Sequence, residues 1–524
     1  MEKTENKVVK LLHICFMVAF GLAFSLIILN VLFNRNVNDY NAKTISFLFV
    51  VSFAFFLFFA SCINKRRIFF EKHYTKILLV SVIYIFVIQM IMLVILRFDP
   101  IWDMEAIYHG AISWVETGTF TDYTSSTCHA DYFYIFPNNL GSLTFLALFF
   151  KVANILGFRD YFLVGGVVNG LLLAVSVVLA TNISKRFFGA VSAMFTLLFF
   201  LCSAPFYMMA PVFYTDALSF VFPLLTCFLI LKSESAPTLK AKICFAVLAC
   251  VACLIGALIK MTVLITLIAV FIWLLLARKW KDLIILVLVS AIVFCAGFSG
   301  FGTYMYTNHL DTLKADQKNQ PIWFWLNMAI VEEGYFNGKI FQASSDIEGK
   351  EAKSDFLKEV YVANIKERGA DSLLKLFTRK AARVFGDGTY ALSEFLDDRP
   401  LQMRGIHQYI LYVGNKYGAY RMFTTGIFLA LQAFMLFSLN FKKRNLSFIL
   451  PQLCVFGIMF FLLFWEIKSC YMINFIPFIF ICASGGLYQI VCVSGGFFKL
   501  MRSVKKDVKK FFLPKKRSKG IANK

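Results

Sequence analysis

Three carboxylates fall within seven residues in the stretch Arg97-Phe-Asp-Pro-Ile-Trp-Asp-Met-Glu105, namely Asp99, Asp103 and Glu105. A carboxylate set beside a reacting hydroxyl can take its proton as a new bond forms. Asp99-Pro100 has the form of a helix start, with Asp as N-cap and Pro at the first helical position. Capping accounts for Asp99. Asp103 and Glu105 are not needed as caps, and their plain alternative is a solvated loop face. A fourth acid, Asp216, closes Tyr214-Thr-Asp216. The apolar stretch 217–231 after it covers only about 22 Å as a helix, short of the roughly 30 Å of a bilayer core. Either the bilayer thins there or Asp216 sits below the surface in a watered cavity, where a carboxylate is costly and usually functional. A cap at the helix start is the alternative.

Other polar groups stand at the ends of apolar runs. Lys260 separates two of them, and Glu466-Ile-Lys468-Ser-Cys-Tyr471 precedes the last. Lys260 could hold a phosphate as a point charge or simply mark a turn. The stretch from Asp131 to Asn139 mixes aromatics with Pro137-Asn138-Asn139, and as a plain reading forms an interfacial aromatic belt. Carboxylates that accept protons, with cations that stabilise a departing phosphate, suit a reaction on a membrane-embedded, phosphate-bearing lipid.

The elements that position these residues follow from composition. Of 524 residues 59% are apolar and only 16% charged, against about a quarter charged in soluble proteins. This excludes a soluble enzyme, a disordered chain and a disulfide-knit module. Apolar runs read as membrane spans recur at 11–33, 45–62, 77–96, 161–183, 187–204, the short 217–231, 243–259, 261–277, 283–305, 421–440, 446–465 and 471–495. The fold class is all-α and polytopic, with 12–13 transmembrane helices.

The net charge is +22, but its distribution speaks for membrane topology and against nucleic acid. Eleven of the basic residues lie in 499–524, and others flank the helices at 65–67, 278–281 and 442–444. With both termini cytoplasmic, every basic cluster falls inside, as the positive-inside rule requires, and the tail can lie on anionic lipid. The first apolar run is too long for a cleaved signal peptide.

The segment 139–157 would reverse every later cluster if it spanned, so it is read as a helix in the outer interface; the alternative is a thirteenth span. Residues 306–420 carry 15 basic and 15 acidic side chains, and 355–377 has helical periodicity, giving a small, mainly helical extracytoplasmic domain. The boundaries are then 1–96 for the first helices, 97–160 for the outer loop, 161–305 for the membrane core, 306–420 for the outer domain, 421–498 for the last helices and 499–524 for the tail. Most of the 13 Cys lie in apolar runs and serve as small hydrophobes. Cys128 and Cys470 share the outer side and leave a disulfide open. No zinc spacing occurs.

In the order of these motifs the chain resembles the GT-C superfamily of membrane glycosyltransferases, relatives of protein O-mannosyltransferases, lipid A aminoarabinose transferases and oligosaccharyltransferase catalytic subunits. The ordered features are Asp103-Met-Glu105, the aromatic segment ending at Asn139, Lys185-Arg186-Phe-Phe-Gly189, Tyr214-Thr215-Asp216, and Glu466 to Tyr471 before a helix with Pro477. The stretch with Trp323, Glu333-Gly334-Tyr335 and Gly386-Asp387-Gly388 is similar to Gram-positive bacterial members. The resemblance implies Asp103 as catalytic base, with Glu105 and Asp216 in the catalytic set. It implies substrate contacts from Asp99, Tyr134, Asn138, Asn139, Tyr214, Lys260, Glu466, Lys468 and Tyr471.

Asp216 binds metal in some members, so a divalent cation on Asp103 and Asp216 is left open. The implied partners are a polyprenyl-phosphate-linked sugar donor, a surface glycan, teichoic acid or lipid-linked acceptor, and membrane lipids, at the outer face of the cell membrane. Two departures stand out. Two helices, not one, precede the helix leading into the acidic loop. Lys468-Ser-Cys470 stands where relatives often carry an Arg, leaving Lys260 and Lys468 to substitute. The alternatives are a lipid-linked glycan polymerase or ligase, for which outer Arg and His residues are expected, and a transporter or flippase, for which Asn169 is the main interior polar candidate.

Overall fold

The computed structural model describes residues 7–34, 40–121, 123–125, 131–396, 400–439 and 448–496, with Lys499 and Arg502. Among them the regular structure is helical, and the only strand-like pairing is one bridge between Phe98 and Pro400. Among the described residues nine helices are long and apolar enough to cross a membrane: Lys7–Phe33, Ala42–Lys65, Tyr74–Ile95, Tyr161–Cys202, Thr215–Glu234, Leu239–Ile259, Trp280–Asn308, Tyr417–Phe437 and Ser469–Val493. Met261–Leu276 and Ile449–Leu463 are apolar but shorter. In hydrocarbon an unpaired peptide group costs several kcal/mol, so apolar sequence of this length closes its hydrogen bonds within a helix.

Two expected spans, 161–183 and 187–204, form one run that turns at Gly189 (φ 83°, ψ −176°), a conformation closed to residues with a Cβ. Ser184, Ser192 and Ser484 bond one another at 2.8–3.1 Å in the buried interior beside this turn. Asn169 turns its amide to the carbonyls of Met209, Ala210 and Val212. It satisfies a non-helical stretch of buried backbone.

The expected interfacial helix is Leu140–Ile155, 16 residues long. It packs against Trp102–Thr117, Leu239–Ile259 and the start of Tyr161–Cys202. Beyond Asn308 come the helices Thr312–Lys318, Ile322–Ile330, Gly338–Ser345 and Lys350–Phe385, the last bent at Gly369. Phe324, Met328 and Leu357 form their separate small core, against which Phe136 packs. This layer of helices adjoins the residues singled out in the sequence.

Candidate active site

The helix bearing the acidic cluster begins later than its Asp-Pro start suggests. Trp102–Thr117 has Ile101 at its N-cap with no side-chain cap bond, and Trp102 takes a left-handed φ of 55°. Asp99 is therefore not the cap. Its side chain, about half exposed, lies 3.9 Å from His109. Asp103 and Glu105 fall in the first turn, where the helix dipole favours negative charge.

Asp103 is held from two sides. The Tyr132 hydroxyl donates to Oδ1 at 2.7 Å and the Tyr214 hydroxyl to Oδ2 at 3.1 Å. Asn139 donates to the Tyr132 oxygen at 2.5 Å, fixing that phenol in turn. Burial, followed by the charge of Asp103, holds both phenols well above the usual tyrosine range, so both stay protonated and donate. The carboxylate is thus oriented while still half-buried.

Three broken helices meet opposite it. Leu239–Ile259 ends at Lys260 (φ −150°, ψ 114°) before the 3₁₀ turn Met261–Val263. Ile449–Leu463 is followed by a loop ending at Lys468 (φ −150°, ψ 132°), before the 3₁₀ segment Ser469–Phe475. The short helix Thr215–Leu218 supplies Asp216. Asn474 ties all three breaks, donating to Ser219 Oγ at 3.2 Å and Thr262 Oγ1 at 3.0 Å. Extended backbone at each lysine turns its side chain out of the helical register and into the space between the breaks.

There Lys260 lies 2.6 Å from Asp216 Oδ1 and 4.1 Å from the centre of the Tyr471 ring. The Tyr471 hydroxyl donates to Glu466 at 3.0 Å, and Lys468 stands 4.0 Å from the same carboxylate. Burial opposes the charge of Lys468, but Glu466, Glu394 and Asp103 outweigh it and hold the ammonium above the usual lysine value. Burial raises the Glu466 carboxyl, against the pull of Lys468 and the Tyr471 bond. The site thus offers an oriented carboxylate within electrostatic reach of a cation that stays charged.

Several expected residues converge here: Asp103, Asn139, Tyr214, Asp216, Lys260, Glu466, Lys468 and Tyr471. Others do not. Tyr134 turns to the helices beyond Asn308, accepting the Asp311 N–H at 3.3 Å under the Lys314 ammonium. Asn138 is exposed and reaches only Asn139. Glu105 is buried and accepts from Tyr123 at 3.0 Å, away from Asp103's two phenols. Cys470 is a buried free thiol, and Cys128 lies outside the described residues.

Two residues went unnoticed in the sequence. Tyr132 was visible in the aromatic segment but not separable from Tyr134. Glu394 had no motif around it. It opens to solvent yet is closely walled by protein, which raises its carboxyl against the influence of Lys468. Its neighbour Phe395 packs on the Tyr214 ring at 5.5 Å.

The residues as placed do not fit a divalent ion. Lys260 occupies Asp216, two phenols occupy Asp103, and among the described residues no three of His, Cys, Asp and Glu are grouped to hold a metal.

A family model described as a conserved hypothetical integral membrane protein matches residues 1–489. The chain belongs to this family. It is therefore an integral membrane protein, in keeping with its nine long apolar helices among the described residues. No curated protein matches it. Among solved structures it is similar to ArnT from Cupriavidus metallidurans, crystallised with undecaprenyl phosphate, at 12% identity over 79% of this chain and 78% of that one, with a TM-score of 0.35. A likeness that slight adds nothing to the reading of the site.

Proposed function

We propose that this protein is a membrane glycosyltransferase of the GT-C type. It moves a sugar from a polyprenyl-phosphate donor to an acceptor hydroxyl of a surface glycan, teichoic acid or lipid-linked precursor at the outer face. The observation that carries the reading is Asp103, oriented by Tyr132 and Tyr214 and near enough to Lys468 to strengthen its charge.

In this mechanism the acceptor O–H gives its proton to Asp103 as its oxygen attacks the anomeric carbon of the sugar. The bond from that carbon to the phosphate oxygen breaks, and the electron pair leaves with the lipid phosphate. Lys468 is the cation for that leaving group. Lys260 is already paired with Asp216 and sets the local charge. A phosphate leaves without protonation, so no second acid is required.

Purified protein with a polyprenyl-phosphate sugar should release polyprenyl phosphate only when an acceptor glycan is present. Release that does not depend on Asp103 would exclude this chemistry. The sidedness has its own test. An impermeant thiol reagent added to intact cells should label cysteines placed at exposed positions of the 306–416 region and spare those placed at 66–73. The reverse pattern would put the site on the other face.

A further inference from the structure

Lys380 is 1% exposed, yet its ammonium has no carboxylate within bonding distance among the described residues. Its three N–H groups meet three backbone carbonyls: Ala329 at 2.8 Å, Leu463 at 2.9 Å and Trp465 at 2.6 Å. An ammonium has three donors, so the match is complete. The first carbonyl lies in the last turn of Ile322–Ile330 and the second ends Ile449–Leu463. These C-termini have unpaired carbonyls and a negative dipole end, which a buried cation satisfies. The third belongs to the loop leading to Glu466 and Lys468.

The same loop is fastened by its other atoms. The Ile467 N–H donates to the Gly334 carbonyl at 2.7 Å. Trp465 stacks on Trp325 at 5.6 Å, and Phe464 meets Phe377 at 5.3 Å. The Trp465 carbonyl and the Ile467 N–H are thus held on either side of Glu466, which accepts from Tyr471 beside Lys468.

We infer that Lys380 is a positioning residue for the candidate site, its ammonium fastening the outer domain to the 463–467 loop and so setting where Glu466 and Lys468 stand. What the loop binds rests on the glycosyltransferase reading; the latch itself does not. The geometry makes the outer domain part of the site's frame.

The molecule contains a matched control. Lys353, on the same helix and also 1% exposed, donates to the carbonyls of Gln317 and Lys318 at 2.8 and 3.2 Å. It caps Thr312–Lys318 and is not bonded to the loop. Hydrogen exchange on the full chain in lipid nanodiscs compares Lys380→Met with Lys353→Met, and binding of undecaprenyl phosphate is measured on both. Lys380→Met should lower protection of 464–471 by at least about tenfold and weaken undecaprenyl phosphate binding by a similar factor, the scale of losing hydrogen bonds to a charged group. Lys353→Met should loosen 312–318 and leave 464–471 as in the parent.

Unchanged protection of 464–471 in Lys380→Met, or equal loosening there in Lys353→Met, overturns the inference. If Lys380→Met cannot be purified, Lys380→Arg keeps a charged donor in a different shape and must show partial loosening confined to the loop; loosening spread over the whole outer domain, or none in the loop, overturns it too. A loosened loop with undiminished undecaprenyl phosphate binding upholds the latch and removes the donor site from this loop.

Discussion

The ammonium of Lys260 lies 2.6 Å from Asp216, a carboxylate only 2% exposed. Each charge has the other as its reason to be there. Removing one partner of a buried pair leaves an uncompensated charge and costs about 3–5 kcal/mol, whereas replacing both with apolar groups is often tolerated. Lys260→Met should therefore unfold at markedly lower temperature than the double variant Lys260→Met/Asp216→Leu. Thermal unfolding of detergent-solubilised protein measures this. Equal destabilisation by the single and double changes would mean the pair is not coupled.

Asp103 and Asp99 should separate cleanly. Asp103→Asn keeps the shape and removes the base, so sugar transfer should fall by about 10²–10⁴-fold with donor binding retained. Asp99 stands apart beside His109, and Asp99→Asn should change transfer by less than about twofold, within the scatter of surface substitutions. Initial rates on a polyprenyl-phosphate sugar decide between them. A reversed order would make Asp99 the base.

Tyrosine-to-phenylalanine changes test the orientation of Asp103. Tyr132→Phe deletes a 2.7 Å bond to the carboxylate and leaves the Asn139 amide without its acceptor; transfer should drop about tenfold or more. Tyr134→Phe deletes only the hydroxyl facing the Asp311 N–H and should leave the rate near the parent's. Both are read in the same transfer assay. Equal losses would show that the aromatic segment acts as a whole.

Gly141 marks a close approach. A Cβ there would lie 1.9 Å from the carbonyl oxygen of Leu258, so Gly141→Ala must push Leu140–Ile155 off the end of Leu239–Ile259. Gly141 is two residues from Asn139, and Leu258 two residues from Lys260. Overpacking typically costs about 1–3 kcal/mol, and a backbone clash costs no less. Both thermal stability and transfer should fall. Full activity in Gly141→Ala would show that the helices part without disturbing the site.

Burial pushes the Lys380 ammonium down to about 7, against the pull of Glu466, so all three donors are present below that pH and two above it. An unfolded lysine keeps its proton to its ordinary pKa of about 10.4. Between these values the unfolded chain binds the extra proton, so stability rises with pH across that window. The slope from this one group is up to about 1.4 kcal/mol per pH unit. Denaturation from pH 6.5 to 9.5 should show the rise in the parent and lose that part of it in Lys380→Met. Identical pH profiles would place the titration elsewhere.

The helical class and the places where helices break were legible because both depend on local composition. Long apolar runs must close their own hydrogen bonds, and Lys260, Asp216 and Glu466 stand out against them. Side-chain direction within short irregular segments was not legible. Tyr132 and Tyr134 are two residues apart in the four-residue turn Tyr132–Ile135 and so face nearly opposite ways; which one reaches Asp103 depends on the turn's docking. The Asp-Pro cap failed because Trp102 takes a left-handed conformation, which no propensity of Trp announces. Lys380 was one of the 15 basic side chains of 306–420 with nothing to set it apart, since its carbonyl partners come from the distant segments around Ala329 and Leu463.

Arg97 and Asp160 form a two-pronged ion pair at 2.7 and 2.8 Å, at the two necks of the stretch that carries Asp103. Joined there, the stretch is a ring closed without a covalent bond. Lengthening its far arc should then be absorbed within the ring, because each doubling of a flexible loop adds only about 0.6 kcal/mol of closure entropy. The neck fixes the two ends of the stretch, and Tyr132 with Asn139 inside it fixes Asp103. The pair keeps the two ends in register, while the arc has anchors of its own in buried Phe120 and in the Tyr123 hydroxyl on Glu105.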